Sequence, residues 1–285
     1  MANDLYLRVR EAVGREVKEV RALGGGCVGE VYRARLDDGA DVVVKVDRTN
    51  APQLEVEGFM LEYLARHSQL PVPGVLHASP ALLVMEFVEG DSHFSPAAER
   101  HAAELLAALH GIRGRAHGLE RATLIGSLHQ PNPWCASWVE FFREHRLLHM
   151  AGAALHEGKM PRSLHRRVQA FAGRIEEFLI EPEHPSLLHG DVWTTNVLAN
   201  ATRITGFLDP AVYYGHPEIE LAFITLFSTF GSTFFEHYQQ LRPVQDGFFQ
   251  LRRDIYNFYP LLVHARLFGS SYLNGIDRKL RELGF

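Results

Sequence analysis

Three short stretches of this chain carry the residue types that phosphate chemistry requires. Gly24, Gly26 and Gly29 satisfy G-x-G-x-x-G, with Val31 two places beyond. A glycine-rich turn of this kind offers backbone N–H groups to phosphate oxygens with no side chain in the way. The same pattern opens a helix in dinucleotide-binding proteins, but here it runs into Val31 to Leu36 and an Asp38-Gly39 hairpin signal. Lys45 sits at the end of a β-branched run sixteen residues after Gly29. A cation placed there can hold the α- and β-phosphates of a nucleotide if a carboxylate from the next helix steadies it. Glu55, Glu57 and Glu62 lie on that expected helix; Glu57 is the first choice and Glu55 the second.

The third stretch is His189-Gly190-Asp191-Val192-Trp193-Thr194-Thr195-Asn196, with Asp209 thirteen residues after Asn196. Phosphoryl transfer needs a carboxylate to orient the acceptor hydroxyl and take its proton, and oxygen ligands for Mg²⁺. Asp191 suits the first task, Asn196 and Asp209 the second. Val197 to Ala199 and Ile204 to Leu208 read as a hairpin that would bring Asn196 and Asp209 together. Trp193 is either a core tryptophan or an aromatic wall for substrate. Cys27, inside the glycine-rich turn, is either an inert small residue or a thiol whose oxidation, to an intermolecular disulfide for instance, would block nucleotide binding. His189 is expected to brace the loop by hydrogen bonds and not to act as a base.

These residues need elements to position them. Leu5, Val9, Ala12 and Val13 predict an opening amphipathic helix, and strands follow around residues 28–36 and 42–46. A helix is expected over 51–66, a proline-punctuated loop from Pro71 to Pro80, and a buried strand over 82–88. Beyond Gly90 the pattern turns helical. Pro96 to His110 has Ser95 as N-cap and proline in the first turn. Further helices are expected over 138–150, 162–179, 219–238 and 244–267, interrupted by strand-like residues 187–207.

Composition narrows the function classes. The 285 residues are 46% hydrophobic and 22% charged, with a net charge of −5 and no Lys/Arg-rich run, so a nucleic-acid partner is not expected. The longest uncharged stretch, Leu221 to Phe235, falls short of the roughly 20 apolar residues a membrane helix needs. Two cysteines make no disulfide framework, and a cytoplasmic location is expected. Sixteen scattered histidines form no zinc motif, and no Gly-x-Ser-x-Gly nucleophile occurs.

In its nucleotide-binding elements the chain resembles the protein-kinase superfamily, and His-Gly-Asp in place of His-Arg-Asp resembles its small-molecule branch. More specifically it resembles the fructosamine kinase (ketosamine-3-kinase) family. The likeness is carried by Gly25-Gly26-Cys27-Val28-Gly29-Glu30-Val31-Tyr32, the middle segment from Gln130-Pro131-Asn132-Pro133-Trp134 to Trp138-Val139-Glu140-Phe141-Phe142, Leu188 to Trp193 and, above all, Asp209-Pro210-Ala211-Val212-Tyr213-Tyr214-Gly215-His216-Pro217-Glu218-Ile219-Glu220-Leu221-Ala222. Thr194-Thr195 stands where many members carry Ser-Gly, and His216 where Asp is common.

The resemblance implies an α+β, bilobal protein-kinase-like fold: a small antiparallel-sheet N-lobe over 1–88 and a larger, mainly helical C-lobe over 89–285. It implies an ATP- and Mg²⁺-dependent kinase acting on the 3-hydroxyl of ketosamines, linked to protein deglycation or metabolite repair. The acceptor would be a small ketosamine or a glycated amine or protein. Asp191 would be the base, Asn196 and Asp209 the metal ligands, and Lys45 with Glu57 would place the phosphates under the turn of Gly24, Gly26, Cys27 and Gly29. Met85, Glu86, Phe87 and Val88 would form the strand and hinge that pack against adenine. The alternatives are a kinase of another small alcohol, aminoglycoside- or choline-kinase-like, and a catalytically silent nucleotide-binding scaffold. A monomer or a redox-linked dimer would both be compatible.

Overall fold

The computed structural model describes residues 2–24 and 29–285. The smaller lobe comprises α1 (Ala2–Val13), β1 (Val17–Ala22), β2 (Glu30–Leu36), β3 (Asp41–Val46), α2 (Leu54–His67), β4 (Val75–Ser79) and β5 (Leu82–Glu86). Its five strands form one antiparallel sheet in the order β1-β2-β3-β5-β4. Side chains alternate across a strand, and β3 uses both faces. Val42, Val44 and Val46 pack with Leu5 and Val9 of α1, Ala34, Leu36, Leu82 and Val84. On the opposite face Leu83 and Met85 bury Leu54 and Leu61 of α2. Lys45 falls on the α2 side by the same alternation. Strand parity thus aims the one lysine of β3 at the helix that carries the glutamates.

Two strands of the smaller lobe lie where none was expected, as do three short strands of the larger lobe, at 123–125, 128–130 and 213–215. In β1 the apolar positions are interleaved with Lys18, Glu19 and Arg21, a composition that only an edge strand tolerates. β4 occupies the stretch between Pro73 and Pro80, and its prolines flank it without interrupting the ladder.

The larger lobe begins with α3 (Pro96–His110), whose first turn is capped by the Ser95 hydroxyl, 3.2 Å from the Ala98 N–H. It continues through β6 (Thr123–Ile125), β7 (Leu128–Gln130), α4 (Trp138–Phe142), α5 (His149–His156) and α6 (Arg162–Ala172). Three short strands follow: β8 (Ser186–Leu188), β9 (Val197–Ala199) and β10 (Ile204–Phe207). β11 (Tyr213–Gly215) then leads into α7 (Pro217–Leu226), α8 (Ser232–Leu241), α9 (Arg253–Tyr256), α10 (Phe258–Phe268) and α11 (Leu273–Glu282). β8 pairs with β11, and β9 with β10. The arrangement is the bilobal α+β fold expected, with a small antiparallel sheet and a helical lobe.

Several helices differ from expectation. The stretch 219–238 is two helices, because Ser228 takes φ +51° and Gly231 caps α8 in an extended conformation. Arg162 to Leu179 ends its α-helix at Ala172, and 244–267 opens only at Phe248 with a wide π-turn. A second π-turn, Arg143–Leu148, joins α4 to α5, so the helix expected over 138–150 runs on to His156. That wider turn swings Arg146 into the core, fully buried. Its guanidinium lies 4.0 Å from the Tyr213 ring centre and donates to Asn132 Oδ1 at 2.6 Å and the Pro131 carbonyl at 2.8 Å. No helix of the described residues is long and apolar enough to cross a membrane.

Candidate active site

Lys45 is buried, 6% exposed, between the two lobes. Its Nζ lies 2.7 Å from Glu57 Oε1 of α2 and also pairs with Asp209 Oδ1. Burial works against the ammonium, but the two carboxylates outweigh it and raise its pKa. Burial also pushes the Glu57 carboxyl up; Lys45 pulls it back, and Asp209 adds to the rise. Of the other glutamates on α2, Glu62 is exposed and Glu55 makes no side-chain pair with Lys45.

Asp191 sits on the loop after β8. Asn196 Nδ2 donates to Asp191 Oδ2 at 2.9 Å and to the Asp191 carbonyl at 3.1 Å. That leaves Asn196 Oδ1 for another partner; Thr195 Oγ1 stands 3.4 Å from it. The β9–β10 hairpin brings Asp209 alongside: the Leu208 N–H donates to the Asn196 carbonyl at 2.8 Å. Burial, and then the charge of Asp209, push the Asp191 carboxyl up to about 8. Two acidic side chains thus face one lysine, and the charge of Asp209 also reaches Asp191, so a divalent cation at Asp209 would favour the ionised form of Asp191. Asn196 Oδ1 and the Asp209 carboxylate are hard oxygen donors of the kind Mg²⁺ takes.

Backbone conformation contributes to this geometry at three places. Asp209 adopts φ +52°, uncommon for a non-glycine residue, on the turn that places its carboxylate at Lys45. Gly190 has φ +88°, and a Cβ there would meet the Ala211 carbonyl oxygen at 2.1 Å. Gly29, at φ +71°, lies so close to β3 that a Cβ would meet the Val46 carbonyl oxygen at 2.3 Å. Both glycines allow a backbone approach that a side chain forbids.

The remaining sequence-predicted residues fall as follows. Gly24 has open space where a side chain would be. Gly26 and Cys27 lie outside the described residues. Met85 is buried with Leu54, Leu61 and Leu83; Glu86 is exposed and accepts the Gly74 N–H at 3.3 Å. Phe87 lies under the Arg33 guanidinium at 3.8 Å, and Val88 packs against Gly206 of β10. Trp193 is half-buried against Phe227 and His264, with ring centres 5.4 and 6.1 Å away. His189 is fully buried, its pKa lowered by burial to about 4, and its Nδ1 accepts the Asp191 N–H at 3.3 Å. His216 caps the N-terminus of α7, accepting the Glu218 N–H on Nδ1 at 3.1 Å.

Sequence reasoning gave no role to the network beneath the loop. Glu220 of α7 accepts the Gly190 N–H with Oε1, and its Oε2 lies 2.8 Å from His110 Nε2. His110 Nδ1 in turn lies 2.7 Å from the Tyr238 hydroxyl. Burial opposes the Glu220 charge, but His110 and then the Gly190 N–H hold its pKa below the usual range. The available signal was a carboxylate set between Ile219 and Leu221 in a largely apolar helix. From the other side, the Ala211 N–H donates to the His189 carbonyl at 2.8 Å, and Gln130 Nε2 donates to the Ala211 carbonyl at 3.0 Å.

The family model described as Fructosamine kinase matches residues 2–284. A probable ketoamine kinase of Synechocystis is 32% identical over 279 residues, covering 93% of this chain and 90% of its own. A chloroplastic protein-ribulosamine 3-kinase of Arabidopsis thaliana is 32% identical over 288 residues, covering 96% and 86%. The crystal structure of a candidate fructosamine-3-kinase from Thermobifida fusca superposes with a TM-score of 0.88 at 30% identity, covering 98% of both chains.

Proposed function

Since this chain belongs to the fructosamine kinase family, we propose that it transfers the γ-phosphoryl group of ATP to the 3-hydroxyl of a ketosamine, the adduct of a sugar with an amine. The observation that carries this reading is the convergence of Lys45, Glu57 and Asp209 in one buried cluster next to the Asp191–Asn196 pair. A positioned carboxylate beside a fixed cation is what in-line phosphoryl transfer asks of a protein, because the catalysis is mostly positioning and charge neutralisation.

In this reading Asp191 accepts a hydrogen bond from the acceptor hydroxyl and takes its proton as the new P–O bond forms and the bond to ADP breaks. Asn196 holds Asp191 in place through Nδ2. Lys45, steadied by Glu57, releases Asp209 and holds the α- and β-phosphates. Asn196 Oδ1 and Asp209 would hold Mg²⁺, which when bound neutralises phosphate charge. Residues 1–88 serve as the nucleotide lobe and 89–285 as the acceptor lobe. Trp193, with Phe227 and His264 behind it, offers an aromatic wall to the sugar–amine adduct. The biological outcome would be deglycation of proteins or repair of glycated metabolites.

The test is ATP consumption with ribulose-lysine, fructose-lysine, an aminoglycoside and choline as acceptors, with the phosphorylated position assigned by NMR. Phosphorylation of a ketosamine at its 3-hydroxyl is expected. Turnover confined to the aminoglycoside or choline would replace this reading with another small-alcohol kinase, and Mg²⁺-dependent ATP binding without any turnover would leave a silent scaffold.

A further inference from the structure

A second cleft, open to solvent, is lined by residues at the start of β8, the N-terminus of α7 and the C-terminal end of α8. Asp191 follows the opposite end of β8, so this cleft is separate from the kinase site. Its charges do not cancel. Of its two glutamates, Glu218 gives both oxygens to Arg252, at 2.7 and 2.6 Å, and Glu183 pairs with Arg113 at 3.1 Å. Arg242, half-buried in the cleft wall, has no ion pair among the described residues.

Neutral donors accompany that arginine. Nδ1 of His216 accepts the Glu218 N–H, so its ring proton sits on Nε2. That N–H is buried and has no hydrogen-bond partner among the described residues; Glu218 Oε2 is 3.9 Å away, beyond reach. Ser186, a fully buried residue of the cleft wall, has for its Oγ only a long contact of 3.4 Å with His184 Nδ1. An unpaired guanidinium beside unspent N–H and O–H donors, with the local carboxylates already engaged, is the chemistry that recognises an oxyanion.

We propose that this cleft binds a small oxyanion, the phosphate or carboxylate group of a metabolite, with Arg242 as the counter-charge and with Ser186 and the neutral His216 N–H as buried donors behind it. The kinase reading is not needed for it. Tyr238 belongs to the same cleft and, through His110 and Glu220, touches the loop that carries Asp191. An anion bound there would sit at the far end of that chain of contacts.

The experiment titrates the full-length protein with inorganic phosphate, acetate and citrate, each against sodium chloride at equal ionic strength. A saturating non-hydrolysable ATP analogue and Mg²⁺ fill the nucleotide cleft. Binding is read from the Arg242 side-chain NMR signal and from the rise in melting temperature. Phosphate or the carboxylates should shift that signal saturably, and Arg242→Gln should weaken binding at least tenfold while leaving the anion-free kinase rate unchanged. Preference for phosphate over citrate would identify a phosphoryl-bearing ligand, and the reverse a carboxylate. An unmoved Arg242 signal, a chloride response of equal size, or equal affinity in Arg242→Gln would overturn the proposal. The wild-type NMR arm decides the matter even if the variant folds poorly.

Discussion

Glu220 holds the Gly190 N–H from beneath, one residue before Asp191, while its second oxygen meets His110 at 2.8 Å. Three helices, α7, α3 and α8, thereby converge on the backbone of one loop through Glu220, His110 and Tyr238. None of these three is among the acidic and amide side chains that meet above the loop, so their effect on chemistry passes through its position. Glu220→Gln keeps the shape but removes the charge that makes both hydrogen bonds strong. We expect kcat to fall by roughly 10- to 100-fold, as for loss of about 1.5–3 kcal/mol of charge-assisted bonding, with KM for ATP nearly unchanged. Steady-state kinetics at varied ATP checks this. A raised KM with normal kcat would show that the network serves nucleotide binding instead.

Asp191→Ala should reduce turnover by about 10²- to 10⁴-fold, the range that general-base catalysis contributes. ATP affinity, measured by calorimetry, should stay within a few-fold, because in the proposed mechanism Asp191 serves the acceptor hydroxyl and not the nucleotide. Substantial residual activity would remove Asp191 from the base role.

Lys45→Met should cut kcat/KM for ATP by on the order of 100-fold or more, since a preorganised charge on the phosphates is lost. It also leaves Glu57 buried without its cation, which costs about 3–5 kcal/mol of stability. Pairing it with Glu57→Leu should restore the melting temperature and leave activity low. If the double variant stays as unstable as the single one, the buried pair is not what destabilises Lys45→Met.

Acid should destabilise the protein through buried neutral histidines. Burial lowers the pKa of His117 to about 4 and of His216 to about 3, against about 6.5 when unfolded. The unfolded chain then binds more protons below pH 6.5, so stability is complete above that pH and declines as pH falls towards 4. Each histidine contributes up to about 1.4 kcal/mol per pH unit across the window. Denaturant melts from pH 7.5 to 5 should show this loss, and His117→Phe should make it shallower while leaving the share of His216. A flat wild-type profile would mean that the histidines are hydrated in the fold.

Much of the architecture was legible because it rests on local signals. The β-branched run at 42–46, the Asp38-Gly39 turn and the Ser95-Pro96 cap each encode their element through nearest-neighbour sterics and hydrogen bonding. Elements whose cue was weak or contrary went unread. β1 is too charged to look like a strand, β4 is masked by prolines, and the break at Ser228 hides inside an apolar stretch. The two π-turns have no sequence signature at all.

At the site, the residue types and order of Lys45, Asp191, Asn196 and Asp209 stood out from spacing alone, since each carries chemistry that its surroundings do not require. Contacts between distant segments were another matter. Lys45 and Asp209 are 164 residues apart, and Glu220 and Gly190 are 30 apart. Which carboxylate on α2 turns to Lys45 depends on how that helix docks on the sheet, and which buried acid holds the loop depends on how α7 packs against β8. A sequence lists the charged groups but contains no dielectric. Only burial between the lobes, and the charges brought together there, raise Asp191 and bind Lys45 between two acids.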